Sequence, residues 1–589
     1  VTAPASGARL APFAFARHTD ARFLDERRAG QEALIAAHTP EGLQEARMQL
    51  GALYLAHLML PEARGLLDAV DAGALDAAGR ARLGALKAGV TIMAGQPLPA
   101  AFDQSPLAPG NLGWPDYPFW AALNAIRAKD AVTSRNDLAQ ALARLPAYPP
   151  VYARACLPLF FSAALDLGDW ALAQRVAEAF DAHPGLKEDP AYSYLLGRAA
   201  LGVNRPDRAA EAFARAAAGR GPYARRAVLA AVDLGLADKS LKPRAAQALL
   251  HDTLARWQGG EIGLGTLRRL VAVDRRLGDW PDMLLTLGRL LRDHPQSEDA
   301  ALAGKQAEGL IGAYYKFALQ GKVPLETLLS LHRRLIPLYR FDPAFETASE
   351  TLADHLLRLG ATAMAADEYG RIYDTLRLGA EGGRWPQDPA RLAGLKLGEA
   401  EAQAAGGRWD AASATLAAAG RMPAPLAGRA ALLGARIQTA LGQPGAAAHV
   451  GVEVSTPDDL RMLGRAAIDA GDWSGAARRF GALRRDHPKD FTEADAINLL
   501  LASWRDGDRA TARDLARAYP DLGGSAHWGQ IAATLLAEPE GPAPLRRARA
   551  RAQLDGAQKM IDRLMRAGDG PDESATASSP PAGKNKTGG

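Results

Sequence analysis

The sequence predicts an all-α chain arranged as a solenoid of short antiparallel helix hairpins, and three observations predict it. Hydrophobic residues are 48% of the 589 and charged residues 23%, near the globular average, while aromatics are only 6%. A chain so rich in Ala, Leu and Arg favours helices over strands, which draw on Val, Ile, Thr and aromatics. The second observation is that small and large apolar residues recur at fixed offsets. The third is a turn element, Gly-Asp-Trp, at Gly168, Gly278 and Gly471, with variants at Gly407 and Gly507.

Residues 1–36 read as an N-terminal segment and a first helix. A first array covers 37–296. It opens with Leu50-Gly51-x-x-Tyr54, Ala63 and Leu67, and continues through Leu196-Gly197-x-x-Ala200 with Ala209, Phe213 and Ala216. Gln96–Tyr117, rich in Pro and Gly, reads as an extended loop ahead of a helical stretch from Phe119 to Leu145. The period breaks at Arg256–Glu261, at 297–344, read as an irregular helical connector, and at Leu376–Pro386. A second array covers 345–520. It holds Leu352 and Leu356 with Gly360, Ala365 and Tyr369, then Leu433-Gly434-x-x-Ile437 with Ala446. Its clearest unit is Leu463-Gly464-x-x-Ala467, Gly471-Asp472-Trp473-x-x-Ala476, Phe480 and Pro488. Small Gly464 and Ala476 let two helices cross closely, Gly471 ends the first helix, and Pro488 stops the second. Residues 521–566 read as polar capping helices, and 567–589, with nothing apolar to bury, as a disordered tail.

This pattern of small and large residues resembles the tetratricopeptide repeat, over roughly ten units between about 37 and 520. The resemblance implies a right-handed superhelical array whose first helices line a concave groove for an extended peptide or a partner helix. Repeats of this kind that grip a carboxylate carry Lys and Asn on their first helices. The matching positions here are Arg461, Arg465 and Asn498, with Arg461 and Arg465 one turn apart. The corresponding places near Ala191 and Glu346 hold Tyr194 and Arg198, then Glu350 and Asp354, so the pattern is incomplete.

Enzyme signatures are absent from the sequence. It has no phosphate-binding glycine loop, no His-Glu-x-x-His and no Gly-x-Ser-x-Gly, and its eleven histidines are scattered. His294 and His487 fall in Asp-His-Pro at helix ends, where the helix dipole accounts for them. The single cysteine, Cys156, lies in an apolar stretch and reads as a core residue; one thiol builds neither an intrachain disulfide nor a thiolate metal cage. Trp170, Trp280, Trp409 and Trp473 are expected to pack the start of each second helix into the core. Trp114 and Trp120 flank the Pro-rich loop as anchors or as an aromatic binding patch. Lys and Arg total 70 against 66 Asp and Glu, interspersed, so no nucleic acid is expected. The densest basic cluster, Arg546, Arg547, Arg549 and Arg551, reads as a solvated helix face. No apolar run is long enough to span a membrane.

The expected function is a non-catalytic scaffold for protein partners, with no cofactor and no metal. The Ala, Arg and Gly bias and the layout resemble large bacterial tetratricopeptide scaffolds of the cell envelope. Two alternatives stay open: a cytoplasmic regulator that senses a peptide or ligand, and a docking arm for a catalytic domain upstream of Val1. Val1–Pro12 lacks the charged start and apolar centre of a secretory signal.

Overall fold

The computed structural model describes residues 10–98, 105–443, 447–448, 450, 456–519, 550–552 and 554–559. Ala446, most of the expected capping region with Arg546, Arg547 and Arg549, and the whole of 567–589 lie outside the described residues. All regular structure among the described residues is helical. The chain forms two compact units, Val1–Leu310 and Ile311–Gly589.

In the first unit, helix Pro40–Ala56 pairs with Leu60–Asp68, Tyr117–Ala128 with Ala131–Arg144, and Pro150–Asp166 with Trp170–Ala179. Pro190–Gly202 pairs with Pro206–Ala217, Pro222–Ala237 with Pro243–Arg256, and Gly260–Leu277 with Trp280–Asp293. Helix Ala77–Met93 has no such partner; the Pro/Gly loop follows it. In the second unit the pairs include Pro343–Arg358 with Thr362–Glu381, and Pro389–Ala405 with Trp409–Ala418. Pro457–Asp469 pairs with Trp473–Asp486, and Glu493–Asp506 with Arg509–Ala518. Successive first helices also touch each other, as Pro389–Ala405 does Ala424–Ala440 and Pro457–Asp469 does Glu493–Asp506.

Local chemistry explains the boundaries. Proline opens many helices at a position whose N–H has no helical partner. In the Gly-Asp-Trp turn, Gly168, Gly278 and Gly471 adopt φ of 67°, 67° and 74°, which a side chain would strain. The aspartate that follows caps the second helix: Asp169 accepts from the Leu172 N–H, and Asp472 from the Gly475 N–H.

Within each hairpin the small residue meets the large one. A Cβ on Gly197 would stand 2.5 Å from the Phe213 ring, and one on Gly464 would stand 2.6 Å from Phe480; on Gly51 it would meet Leu67 at 2.9 Å. Phe213, Phe480 and Leu67 are fully buried. The offset is sixteen residues in all three, so glycine is there to let the second helix's ring or branched chain lie on the first helix's backbone.

The turn tryptophans differ from expectation. Trp170 and Trp280 keep 43% and 42% of their surface exposed, and Trp409 and Trp473 are half-buried. They lie at the rim, because the adjacent hairpin offers backbone there rather than a core: a Cβ on Gly202, at the end of the next first helix, would collide with Trp170.

The expected breaks are specific structures. Trp257–Gly259 is a short link. Helix Thr362–Glu381 runs past Leu376, and Trp385 folds back so that its Nε1–H donates to the Leu376 carbonyl at 3.0 Å. The stretch 297–344 holds helix Glu298–Phe317, a wide turn Ala318–Lys322 with Gly321 at φ 80°, and helix Leu325–Tyr339.

Candidate functional site: the face of the first helices

Aligning the hairpins on Gly51, Gly197 and Gly464 places three residue pairs in the same positions of their first helices. They are Met48 and Ala52, Tyr194 and Arg198, and Arg461 and Arg465. These pairs hold equivalent places in their own hairpins, and their chemistry differs from one to the next.

Arg461 is already engaged. Its Nε donates to both oxygens of Asp495 at 3.2 and 3.0 Å, Nη1 reaches Asp458 at 3.1 Å, and Nη2 donates to the Asp490 carbonyl. The hydrogen bond to Asp495 raises the Arg461 pKa further. Asp495 is fully buried and forms a capping box with Thr492, so one carboxylate both caps its own helix and holds the arginine of the preceding hairpin. Arg465, one turn on, is exposed and has no ion pair among the described residues. Asn498 is half-buried on the next first helix. The caps Thr456 and Thr492, and the turns Gly471 and Gly507, are 36 residues apart. Asn498 therefore corresponds to Met462 rather than to either arginine.

In the first unit, Tyr194 is half-buried with its ring 5.9 Å from both Phe213 and Tyr223. Arg198 donates to Asp166 at 2.6 Å and to Ser162 Oγ at 2.9 Å on the preceding first helix. Glu350 accepts from Arg391 at 3.2 Å, and Asp354 accepts from the Tyr369 hydroxyl.

Arg–carboxylate bridges thus connect one first helix to the next. Arg269 grips Asp233 with two hydrogen bonds, Arg429 grips Glu401, and Arg436 grips Asp459 through both oxygens at 2.8 Å. The forked guanidinium matches a carboxylate in this two-bond geometry, which fixes orientation as well as distance. Between Glu401 and Asp495 every first helix takes part. Beside this run a hollow of about 360 Å³ is floored by Leu357, Ala404, Leu432 and Leu433 and edged by Arg429 and Arg436.

Buried titratable groups lie elsewhere. Asp274, fully buried, accepts from Gln247 at 2.7 Å and from Thr286 at 3.2 Å; burial pushes its pKa up to about 6 against the pull of those bonds. In the second unit His332 Nδ1 is 2.7 Å from the Tyr315 hydroxyl and Nε2 is 3.1 Å from Glu368. Arg371 bridges Glu368 and the fully buried Glu346. Burial raises the Glu346 carboxyl; at Glu368 the hydrogen bonds from His332 and Arg371 overcome burial and hold it low. Both networks are internally paired joints between helices. Cys156 is fully buried, and burial pushes its thiol up to about 12, far from a nucleophile's range. Among the described residues no group of three or more His, Cys, Asp or Glu is placed to hold a metal, and no helix is long and apolar enough to cross a membrane.

The sequence reading missed Phe13 and Phe15. They project from an irregular segment onto the first hairpins, where Trp114, 4% exposed, is an anchor for that segment. The signal was present: two phenylalanines at alternate positions in an apolar stretch outside any hairpin.

The sixteen-residue packing of glycine against a ring or branched chain, the capped Gly-Asp turns and the side-by-side first helices make each unit an all-α run of helix hairpins that resemble tetratricopeptide repeats. No protein-family model matches the chain, and no curated protein matches it. Among solved structures it is similar to the APC/C hetero-tetramer Cut9–Hcn1, at 14% identity over 84% of this chain and 91% of that one, TM-score 0.22. It is also similar to yeast Tom70, at 11% over 93% and 96%, TM-score 0.20, and to Naa15/Naa10 bound to HypK-THB, at 14% over 94% and 88%, TM-score 0.23. The repeat assignment rests on the chain's own packing and not on these likenesses.

Proposed function

We propose that the chain is a non-catalytic protein-interaction scaffold that holds an extended peptide or helix of a partner protein along its first helices. The Ala-, Arg- and Gly-rich composition favours a bacterial envelope assembly as its setting. The observation that carries the reading is the bridged run from Glu401 to Asp495. Neighbouring first helices are joined side by side by paired arginines, while Arg465 on the same face is exposed and has no ion pair among the described residues. A carboxylate of the partner would find Arg465 free, with Arg461 shaping the site from its bridge to Asp495. Asn498 would offer an amide one hairpin on, and Tyr194 and Arg198 occupy the equivalent place in the first unit.

The test is affinity capture from the native host with the intact chain and with Arg465→Glu, a surface change expected to alter stability by less than about 0.5 kcal/mol. Selective loss of a partner supports the reading. Unchanged capture removes Arg465 from the site, and no specific partner with either chain overturns the scaffold reading.

A further inference from the structure

The first-helix face at the start of the first unit is covered by the chain's own segment Leu10–His18. Beyond one short turn at Phe15–Arg17 the segment has no regular structure, and that turn packs on helix Pro40–Ala56. It lies over the positions that correspond to Arg461 and Arg465. Met48 and Ala52, the counterparts of Arg461 and Arg465, are 2% and 8% exposed and share one apolar cluster with Phe15. In the second unit the same positions carry the bridged Arg461 and the exposed Arg465.

The segment is held by two main-chain hydrogen bonds and two side-chain anchors, the means by which a docked peptide is held. The Trp114 Nε1–H donates to the Ala11 carbonyl at 3.0 Å, and the Phe13 N–H donates to Asp116 at 2.5 Å. Asp116 is fully buried and is fixed from the other side by Arg144 Nε at 2.8 Å. The Phe13 and Phe15 rings stack at 4.6 Å. Phe13 meets Trp114 and Trp120 edge-on at 5.4 and 5.9 Å, and Phe15 meets Tyr148 and Tyr152 at 5.9 and 6.2 Å. Ala11, Pro12, Ala14 and Ala16, between and beside the anchors, face solvent. The fit is incomplete: a cavity of about 460 Å³ remains between this segment and helices Pro40–Ala56 and Ala77–Met93, reached by Glu45, Ala52, Arg82 and Leu86.

We propose that Leu10–His18 is a displaceable intramolecular occupant of a second peptide site, which takes an extended partner peptide carrying aromatic residues at alternate positions, Phe-x-Phe. This rests on reading the first-helix face as peptide-binding, but at a different segment and by different chemistry from Arg465. Its specificity comes from the aromatic walls and from Asp116 and Trp114 reading the main chain, and the unfilled cavity leaves room for a larger side chain than this segment supplies.

The experiment uses the full chain and a fluorescein-labelled peptide of residues 10–18, read by anisotropy. The Phe13→Ala/Phe15→Ala chain should bind the peptide at least tenfold more tightly than the wild-type chain, and a peptide with both phenylalanines replaced by alanine should not bind. Equal, weak binding by both chains, with the variant keeping the wild-type thermal transition, overturns the proposal. If the variant loses that transition, a protease site placed between Thr19 and Asp20 lets the segment be cut in the folded chain. Exchange of the cut segment for labelled peptide supports the proposal; its retention until the chain unfolds overturns it. Neither arm depends on Arg465, so this site and the proposed scaffold face fail or stand separately.

Discussion

The opening hairpins of the first unit and the last hairpins of the second solve one problem with different chemistry. Both must hold successive first helices side by side. Near residues 40–166 the joint is mainly aromatic: Phe119, Trp120, Tyr152 and Phe160 are buried together and the chain's own Phe13 and Phe15 pack on them, with one bridge, Arg82 to Glu45 at 2.8 Å, beside them. Between 389 and 506 the apolar packing, as of Leu433 and Ile437 on Leu397 and Ala400, is supplemented by arginine forks on helix carboxylates, and Arg465 beside them is exposed. An aromatic joint presents an adhesive surface that needs cover, whereas a bridge consumes its own charges and leaves a neighbour such as Arg465 free. This difference is why the two proposed sites call for partners of different chemistry.

The sharpest way to break this comparison is to remove one bridge. Asp495→Ala leaves Arg461 without its carboxylate and helix Glu493–Asp506 without its capping box, and should cost about 3 kcal/mol in urea unfolding of the second unit. A cost below about 1 kcal/mol would mean that apolar packing holds both ends alike. Next in size is the feature the two regions share. Gly197→Val and Gly464→Val should each cost about 2 kcal/mol, because the new Cβ meets a Phe ring at 2.5 or 2.6 Å. Gly434→Ala, whose Cβ would have its nearest neighbour at 3.7 Å, should be neutral or slightly stabilising. The smallest effect separates two buried carboxylates, Asp495 with an arginine and Asp274 without one. Asp274 keeps its proton up to about pH 6 when folded, while the unfolded chain releases it near 3.8. Stability of the first unit should fall as pH rises through that window and then level off. Asp274→Asn should abolish that fall and gain about 1 kcal/mol at pH 7.5, seen in paired urea titrations.

The hairpins were legible because their determinants are local. A glycine sixteen residues before a phenylalanine, or a Gly-Asp pair at a turn, states its own geometry. The site was legible only in part. Nothing near Arg461 announces that Asp495, 34 residues on, already holds it. Asn498 was matched to the arginines by register, and the caps Thr456 and Thr492 set it opposite Met462. The tryptophans were placed in the core by size, but exposure depends on what the neighbouring hairpin brings, and at Gly202 it brings backbone. Phe13 and Phe15 cover a face built from helices far along the chain, and no period contains them.

The capping carboxylates also bear on how such a chain grows or shrinks. Asp459 and Asp495 occupy the same place in helices 36 residues apart, each opposite an arginine of the helix before. Excising Pro457–Thr492 would therefore bring Asp495 into the position of Asp459, facing Arg436, and re-form a bridge. A cut one or two residues shorter or longer would turn the carboxylate away. Gain or loss of a whole repeat is thus a register-preserving event at this end, and the ion pair acts as the proofreader of its length.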